Sequence, residues 1–236
     1  MTPTGMTRAI IFDLDDTLVK TSDLYAEAEN RFLDFMEELG FQRAEVVDLF
    51  EQRETLNTRK YGVSPKRYPL SMEETYVLIG KKHNRSIDPA HRKQVREFAK
   101  WVFRQVPELM EGAIEVLEVL RKKYRLILLT RGARTIQKYK LVKTGLIEYF
   151  HSIYIVNSKT EAEYEMVLRR EGLDPSETCI VGDSIRSDIN PGSKLGLRCI
   201  YVPYSLQGYV WSQDKEQPVS DSHISIRTLQ ELTQLL

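Results

Sequence analysis

Arg8-Ala9-Ile10-Ile11-Phe12-Asp13-Leu14-Asp15-Asp16-Thr17-Leu18-Val19 decides the reading of this chain: an apolar run stops abruptly at three carboxylates and a hydroxyl. A short run rich in Ile and Phe reads as a strand of a parallel sheet, buried on both faces. Open α/β sheets bind ligands beyond the carboxyl ends of their strands. If extended backbone continues through the cluster, Asp13 and Asp15 point one way and Leu14 and Asp16 the other. Two carboxylates then share one site, which is costly unless a cation neutralises them or one takes up a proton. Oxygen-only ligands of this kind suit a hard ion such as Mg²⁺. Taken alone, the stretch fits equally well with acids that cap the next helix or face water.

Three further stretches extend the same chemistry. Arg125-Leu126-Ile127-Leu128-Leu129-Thr130-Arg131-Gly132 is another apolar strand, closed by a hydroxyl and then a glycine. A hydroxyl and open backbone amides can hold a phosphoryl oxygen. Lys159 follows the β-rich Ile153-Tyr154-Ile155-Val156 and precedes an amphipathic helical segment from about Glu161 to Glu171. Cys179-Ile180-Val181-Gly182-Asp183-Ser184-Ile185-Arg186-Ser187-Asp188 ends a strand in Gly-Asp, with a second Asp five residues on. The four strand ends thus carry acid, hydroxyl, cation and acid. Lys138, Lys140 and Lys143 are nearby rivals for the cation, but they fall in the helical segment from Ala133 to Thr144 and read as its solvated face.

In this order the four stretches resemble motifs I to IV of the haloacid dehalogenase superfamily, over about Arg8 to Val202. Within it they resemble the phosphatase branch with a C1-type helical cap, of the phosphoglycolate phosphatase kind. The pattern Asp-x-Asp-x-Thr is met by Asp13, Asp15 and Thr17, motif II by Thr130, motif III by Lys159, and motif IV by Gly182-Asp183 with Asp188. The resemblance implies that Asp13 is the nucleophile, forming an aspartyl-phosphate. It implies that Asp15 is the general acid and then the base, with Thr17 orienting it. Lys159 and Thr130 would grip the phosphoryl group, helped by the backbone amides of Arg131 and Gly132. Mg²⁺ would be held by Asp13, the backbone carbonyl of Asp15, Asp183 and Asp188, the last directly or through water. Asp16 stands where many members have Gly. The dehalogenase and phosphonatase branches lack the acid found here as Asp15, so its presence favours phosphate esters over C–halogen or C–P cleavage.

Around these motifs the patterns change character. Helical segments run from Ser22 or Thr21 to Gly40, from about Ala44 to Tyr61, from Ser71 to Lys82 and from Asp88 to Gln105. Asp88-Pro89 reads as an N-cap followed by Pro at the first helical position. This insertion resembles the family's helical cap, so the expected division is a core of residues 1–19 and 107–236 and a cap of residues 20–106. After Pro107 helices and strands alternate, which predicts an α/β fold, a Rossmann-like parallel sheet with helices on both faces. Arg53, Arg59, Lys60, Lys66 and Arg67 flank the turn Tyr61-Gly62-Val63-Ser64-Pro65. Lys66 and Arg67 are candidates for the distal part of a substrate, although such charges are more often a solvated helix end. The stretch from Tyr201 to Trp211 fits a rim over the site, a dimer contact, or a loop packing its own aromatics.

Lys plus Arg and Asp plus Glu both number 34, so no net field recruits nucleic acid or an anionic membrane. No apolar stretch is long enough to span a bilayer, and the N-terminus lacks a signal-peptide core. Cys179 and Cys199 lie in apolar runs and are expected to be buried free thiols in a reducing cytoplasm. The four His and two Cys show no zinc spacing. Neither a glycine-lysine phosphate loop nor a dinucleotide fingerprint is present. The leading expectation is a Mg²⁺-dependent phosphomonoesterase acting on a small phosphorylated metabolite, as a monomer or homodimer. The alternatives are a phosphomutase of the same fold and a non-catalytic metal- or phosphate-binding regulator.

Overall fold

The computed structural model describes residues 8–62, 64–206 and 216–236. Six strands, β1 Ala9–Phe12, β2 Arg125–Arg131, β3 Ser152–Val156, β4 Thr178–Gly182, β5 Arg198–Tyr201 and β6 Ile224–Ser225, form one sheet in the order β3-β2-β1-β4-β5-β6. Every neighbouring pair is parallel. The α-helices are α1 Thr21–Glu38, α2 Arg43–Tyr61, α3 Arg67–Lys82, α4 Pro89–Val102, α5 Ala113–Leu120, α6 Arg134–Lys143, α7 Glu161–Glu171, α8 Asn190–Lys194 and α9 Leu232–Leu235.

The strands are nearly uninterrupted apolar runs because both faces of the sheet are covered. Ile10, Phe12, Leu126, Leu128, Cys179 and Val181 point into one layer with Val116, Leu117 and Leu120 of α5 and Leu232 of α9. Ala9, Ile11, Ile127, Leu129, Ile180 and Cys199 point into the other, against Tyr164, Val167 and Leu168 of α7 and Ile189. Both cysteines are buried free thiols. Strand order switches direction at β1, which pairs with β2 on one side and β4 on the other, so the crevice at the carboxyl ends of β1 and β4 is the natural place for a site.

The chain forms two compact units, Met1–Ser22 with Val106–Leu236, and Asp23–Gln105. Among its described residues the second unit holds helices and no strand. Its core is built at helical spacing from Phe32, Met36, Phe50, Met72, Ile79, Val95 and Ala99. Asp88 caps α4, its side chain accepting from the Ala90 N–H at 2.7 Å, with Pro89 in the first turn. Among the described residues no helix is long and apolar enough to cross a membrane. Of the stretch from Tyr201 to Trp211, positions 207–211 lie outside the described residues, as does Val63.

Candidate active site

The strand-end residues converge at the carboxyl edge of the sheet. Asp13 directly follows β1, and its N–H still donates to the Val181 carbonyl at 3.0 Å, so the ladder holds the residue in place. Its carboxylate accepts from the Lys159 ammonium, which also pairs with Asp188 at 2.5 Å. Carboxylate oxygens of Asp13, Asp183 and Asp188 lie within 4.8 Å of one another. Asp188 reaches them through one turn of π-helix, Ile185–Ile189, a rare geometry that recurs at functional sites. Its Oδ1 accepts from the buried Tyr164 hydroxyl at 2.9 Å and its Oδ2 from the Ser184 N–H at 3.2 Å. Gly182 makes this approach possible, because a Cβ there would stand 2.7 Å from the Asp188 Cβ.

Three acids around one ammonium leave the centre with excess negative charge. Burial lifts the Asp13 carboxyl from 3.8 to about 7 against the pull of Lys159. Burial, then the charges of Asp13 and Asp188, push Asp183 well above the carboxylate range. Burial works against the charged form of Lys159, and Asp13 and Asp188 overcome it, holding the ammonium above the ordinary lysine range. Oxygen-only and anionic, with Asp13 and Asp188 buried and Asp183 half-buried, this donor set fits a hard divalent cation such as Mg²⁺, whose charge would reverse the upward shifts.

The acids of the opening stretch divide their work. Asp15 accepts from Thr21 Oγ1 at 2.5 Å, Lys140 Nζ at 2.5 Å and Gln137 Nε2 at 2.7 Å. Burial raises its carboxyl, but Lys140 and these hydrogen bonds outweigh burial and hold it below the usual range. Asp16 turns away with φ of 59°, and its two oxygens accept from the Ser22 N–H at 2.8 Å and the Ser22 hydroxyl at 2.5 Å. It therefore secures the start of α1, as an acid that caps the next helix does, and burial lifts its carboxyl to about 6.

Three expectations are corrected. The Thr17 hydroxyl does not orient Asp15: it donates to Asp183 at 3.2 Å and faces Asp13 at 3.5 Å, while Thr21 takes the place on Asp15. The Gly132 N–H is not open to a phosphoryl oxygen, because it donates to the Val156 carbonyl at 3.0 Å. What Gly132 supplies is room: a Cβ there would lie 2.9 Å from Cγ and Cδ of Gln137. Lys140 is not on a solvated face, being 8 % exposed, whereas Val142 of the same helix is 52 % exposed. The helix reverses the usual polarity rule, which hid Gln137 and Lys140 in the sequence. The available signal was the i, i+3, i+4 spacing of Gln137, Lys140 and Leu141, one face beginning seven residues beyond the motif hydroxyl.

Thr130 is fully buried and accepts from Gln137 Nε2 at 2.6 Å. The Arg131 side chain is exposed. Lys66 and Arg67 belong to the helical unit, where Lys66 is exposed and Arg67 is taken up by Glu54 and Thr58.

Residues 10–202 match the family described as haloacid dehalogenase-like hydrolase, and the chain belongs to that family. Among curated relatives, the glyceraldehyde 3-phosphate phosphatase of Methanopyrus kandleri is 25% identical over 207 residues, covering 84% of each chain. The phosphoserine phosphatase of Thermus thermophilus is 28% identical over 123 residues, 49% of each. Among solved structures, a haloacid dehalogenase-like hydrolase from Xanthomonas campestris superposes with a TM-score of 0.80 at 22% identity, over 100% of this chain and 94% of the other. That likeness shows the fold, and the chain is a hydrolase of this family.

Proposed function

We propose that the protein is a Mg²⁺-dependent phosphomonoester hydrolase that works through an aspartyl-phosphate on Asp13 and acts on a small phosphorylated metabolite. The observation that carries this reading is a second acid beside the nucleophile: Asp15 shares the site with Asp13 but has its own cation, Lys140. Two carboxylates with opposite environments are the arrangement that separates a nucleophile from a proton carrier. The phosphatase relatives support the reaction class, and the names of two of them support short phosphate esters.

In the first step an Asp13 oxygen attacks phosphorus and the ester P–O bond breaks. Asp15 rests as a carboxylate, so a phosphate monoester arriving as its monoanion supplies the proton, which Asp15 relays to the departing oxygen. In the second step Asp15 takes a proton from a water that attacks phosphorus, releasing inorganic phosphate and restoring Asp13. Lys159 and the Thr130 hydroxyl hold the charge that grows on the phosphoryl oxygens. Thr17 orients the carboxylates of Asp13 and Asp183. The carboxylates of Asp13, Asp183 and Asp188 and the Asp15 main-chain carbonyl would hold Mg²⁺, which would supply neutralisation between the anionic nucleophile and the anionic ester. The helical unit takes the part of the family's cap, selecting among esters.

Phosphate release from a broad panel of phosphomonoesters, with and without Mg²⁺, tests the proposal beside Asp13→Asn. The expected result is metal-dependent release that falls by on the order of 10⁴-fold or more in the variant, as for loss of a covalent nucleophile. Folded wild-type protein that releases phosphate from no panel member overturns it.

A further inference from the structure

Gln137 and Lys140 belong to none of the four motifs, yet both side chains reach Asp15 from one face of α6. A carboxylate oxygen offers two acceptor positions in its plane. On Asp15, Oδ1 has both filled, by Thr21 Oγ1 and Lys140 Nζ at 2.5 Å each, and Lys140 Nζ lies 3.4 Å from Thr21 Oγ1, so the three groups close a triangle. Among the described residues Oδ2 takes a single donor, Gln137 Nε2 at 2.7 Å, and keeps one position open. An ionised carboxylate only accepts, so the Gln137 amide must present its NH₂ group there. The same nitrogen donates to Thr130 Oγ1 at 2.6 Å. With Oγ1 accepting from Gln137, the Thr130 O–H is directed elsewhere, toward an acceptor such as a phosphoryl oxygen.

We propose that Gln137 and Lys140 are positioning residues for proton transfer by Asp15, and that Oδ2 is the oxygen that exchanges the proton. Gln137 ties this carboxylate to the hydroxyl that grips the phosphoryl group, so the leaving oxygen and the transferring phosphoryl are aligned by one side chain. The inference rests on the phosphatase reading above. A cation that only neutralised a half-buried acid would serve every ester equally. A positioning cation matters most where the leaving oxygen needs a proton.

The test compares kcat/KM for phenyl phosphate and p-nitrophenyl phosphate, because this ratio covers only the steps up to departure of the alcohol, and nitrophenolate leaves with little need of a proton. General acid catalysis contributes roughly 10²–10⁴-fold. Lys140→Met is expected to lower kcat/KM for phenyl phosphate at least about 10-fold more than for p-nitrophenyl phosphate, with Lys140→Arg recovering most of the difference. Equal losses on the two esters, or no loss, overturn the proposal. Circular dichroism checks the fold, and should Lys140→Met fail to fold, the same ratio measured on Gln137→Met decides. Failure of the phosphatase reading shows separately, as wild-type protein that releases no phosphate from the panel.

Discussion

Lys159 is 6 % exposed and touches two acids, so its charge is balanced by contact rather than by water. The pH dependence of the metal-free protein follows from the first of them, Asp13. Asp13, lifted from 3.8 to about 7, keeps a proton in the folded chain that the unfolded chain has already lost. Between those pH values stability therefore falls as pH rises. Replacing Lys159 by Met leaves Asp13 and Asp188 without this partner and steepens the fall. In urea denaturation with a chelator present, Lys159→Met should lose about 3–5 kcal/mol at pH 8 and much less at pH 5, where Asp13 is closer to neutral. Mg²⁺ should restore part of the loss at pH 8, whereas an equal loss at both pH values would place the role of Lys159 in packing.

At the scale of elements, the long strands were legible and the buried face of one helix, α6, was not. β1, β2 and β4 are apolar runs that end at polar residues, and a strand covered on both faces reads that way without its neighbours. β6 has two residues, Ile224 and Ser225, too few for any period. Asp13, Asp183 and Asp188 were recognisable because each occupies or follows a strand end. The roles of Gln137, Lys140 and Tyr164 depend on which helix face the sheet receives, and a buried Lys beside an exposed Val in α6 points the wrong way. The junction of β4 and the π-turn carries its own prediction. Gly182→Ala places a Cβ 2.5 Å from Asp188 Oδ2, so the turn must move or the strand must bend. We expect a loss of about 1–3 kcal/mol from overpacking together with weaker Mg²⁺ dependence of phosphate release, read by urea denaturation and by metal titration. Unchanged metal dependence would show that the turn absorbs the extra carbon.

At the scale of the whole molecule, each unit has its own apolar core and its own titrating acids. In the helical unit Glu29 is largely out of water, and among the described residues one of its oxygens has no hydrogen-bond partner. Burial, then the charges of Glu51 and Glu54, lift its carboxyl from 4.5 to about 7. The folded unit thus holds a proton that the unfolded chain gives up near 4.5, and stability declines across that interval. Glu29→Gln should leave stability unchanged near pH 4.5 and raise it by about 1–3 kcal/mol at pH 8, measured as slower hydrogen exchange in peptides from residues 23–105. Equal exchange in wild type and variant at pH 8 would remove Glu29 as the source of the decline. The sheet unit bears a different mark. Cys179 and Cys199 are the chain's two cysteines, on adjacent strands at 0 % and 2 % exposure, and burial pushes the Cys199 thiol up to about 11. Alkylating reagents need an accessible thiolate, so the native chain carries a labelling clock that starts only when the sheet opens. Residues 23–105 contain no cysteine, and opening of the helices leaves that clock silent.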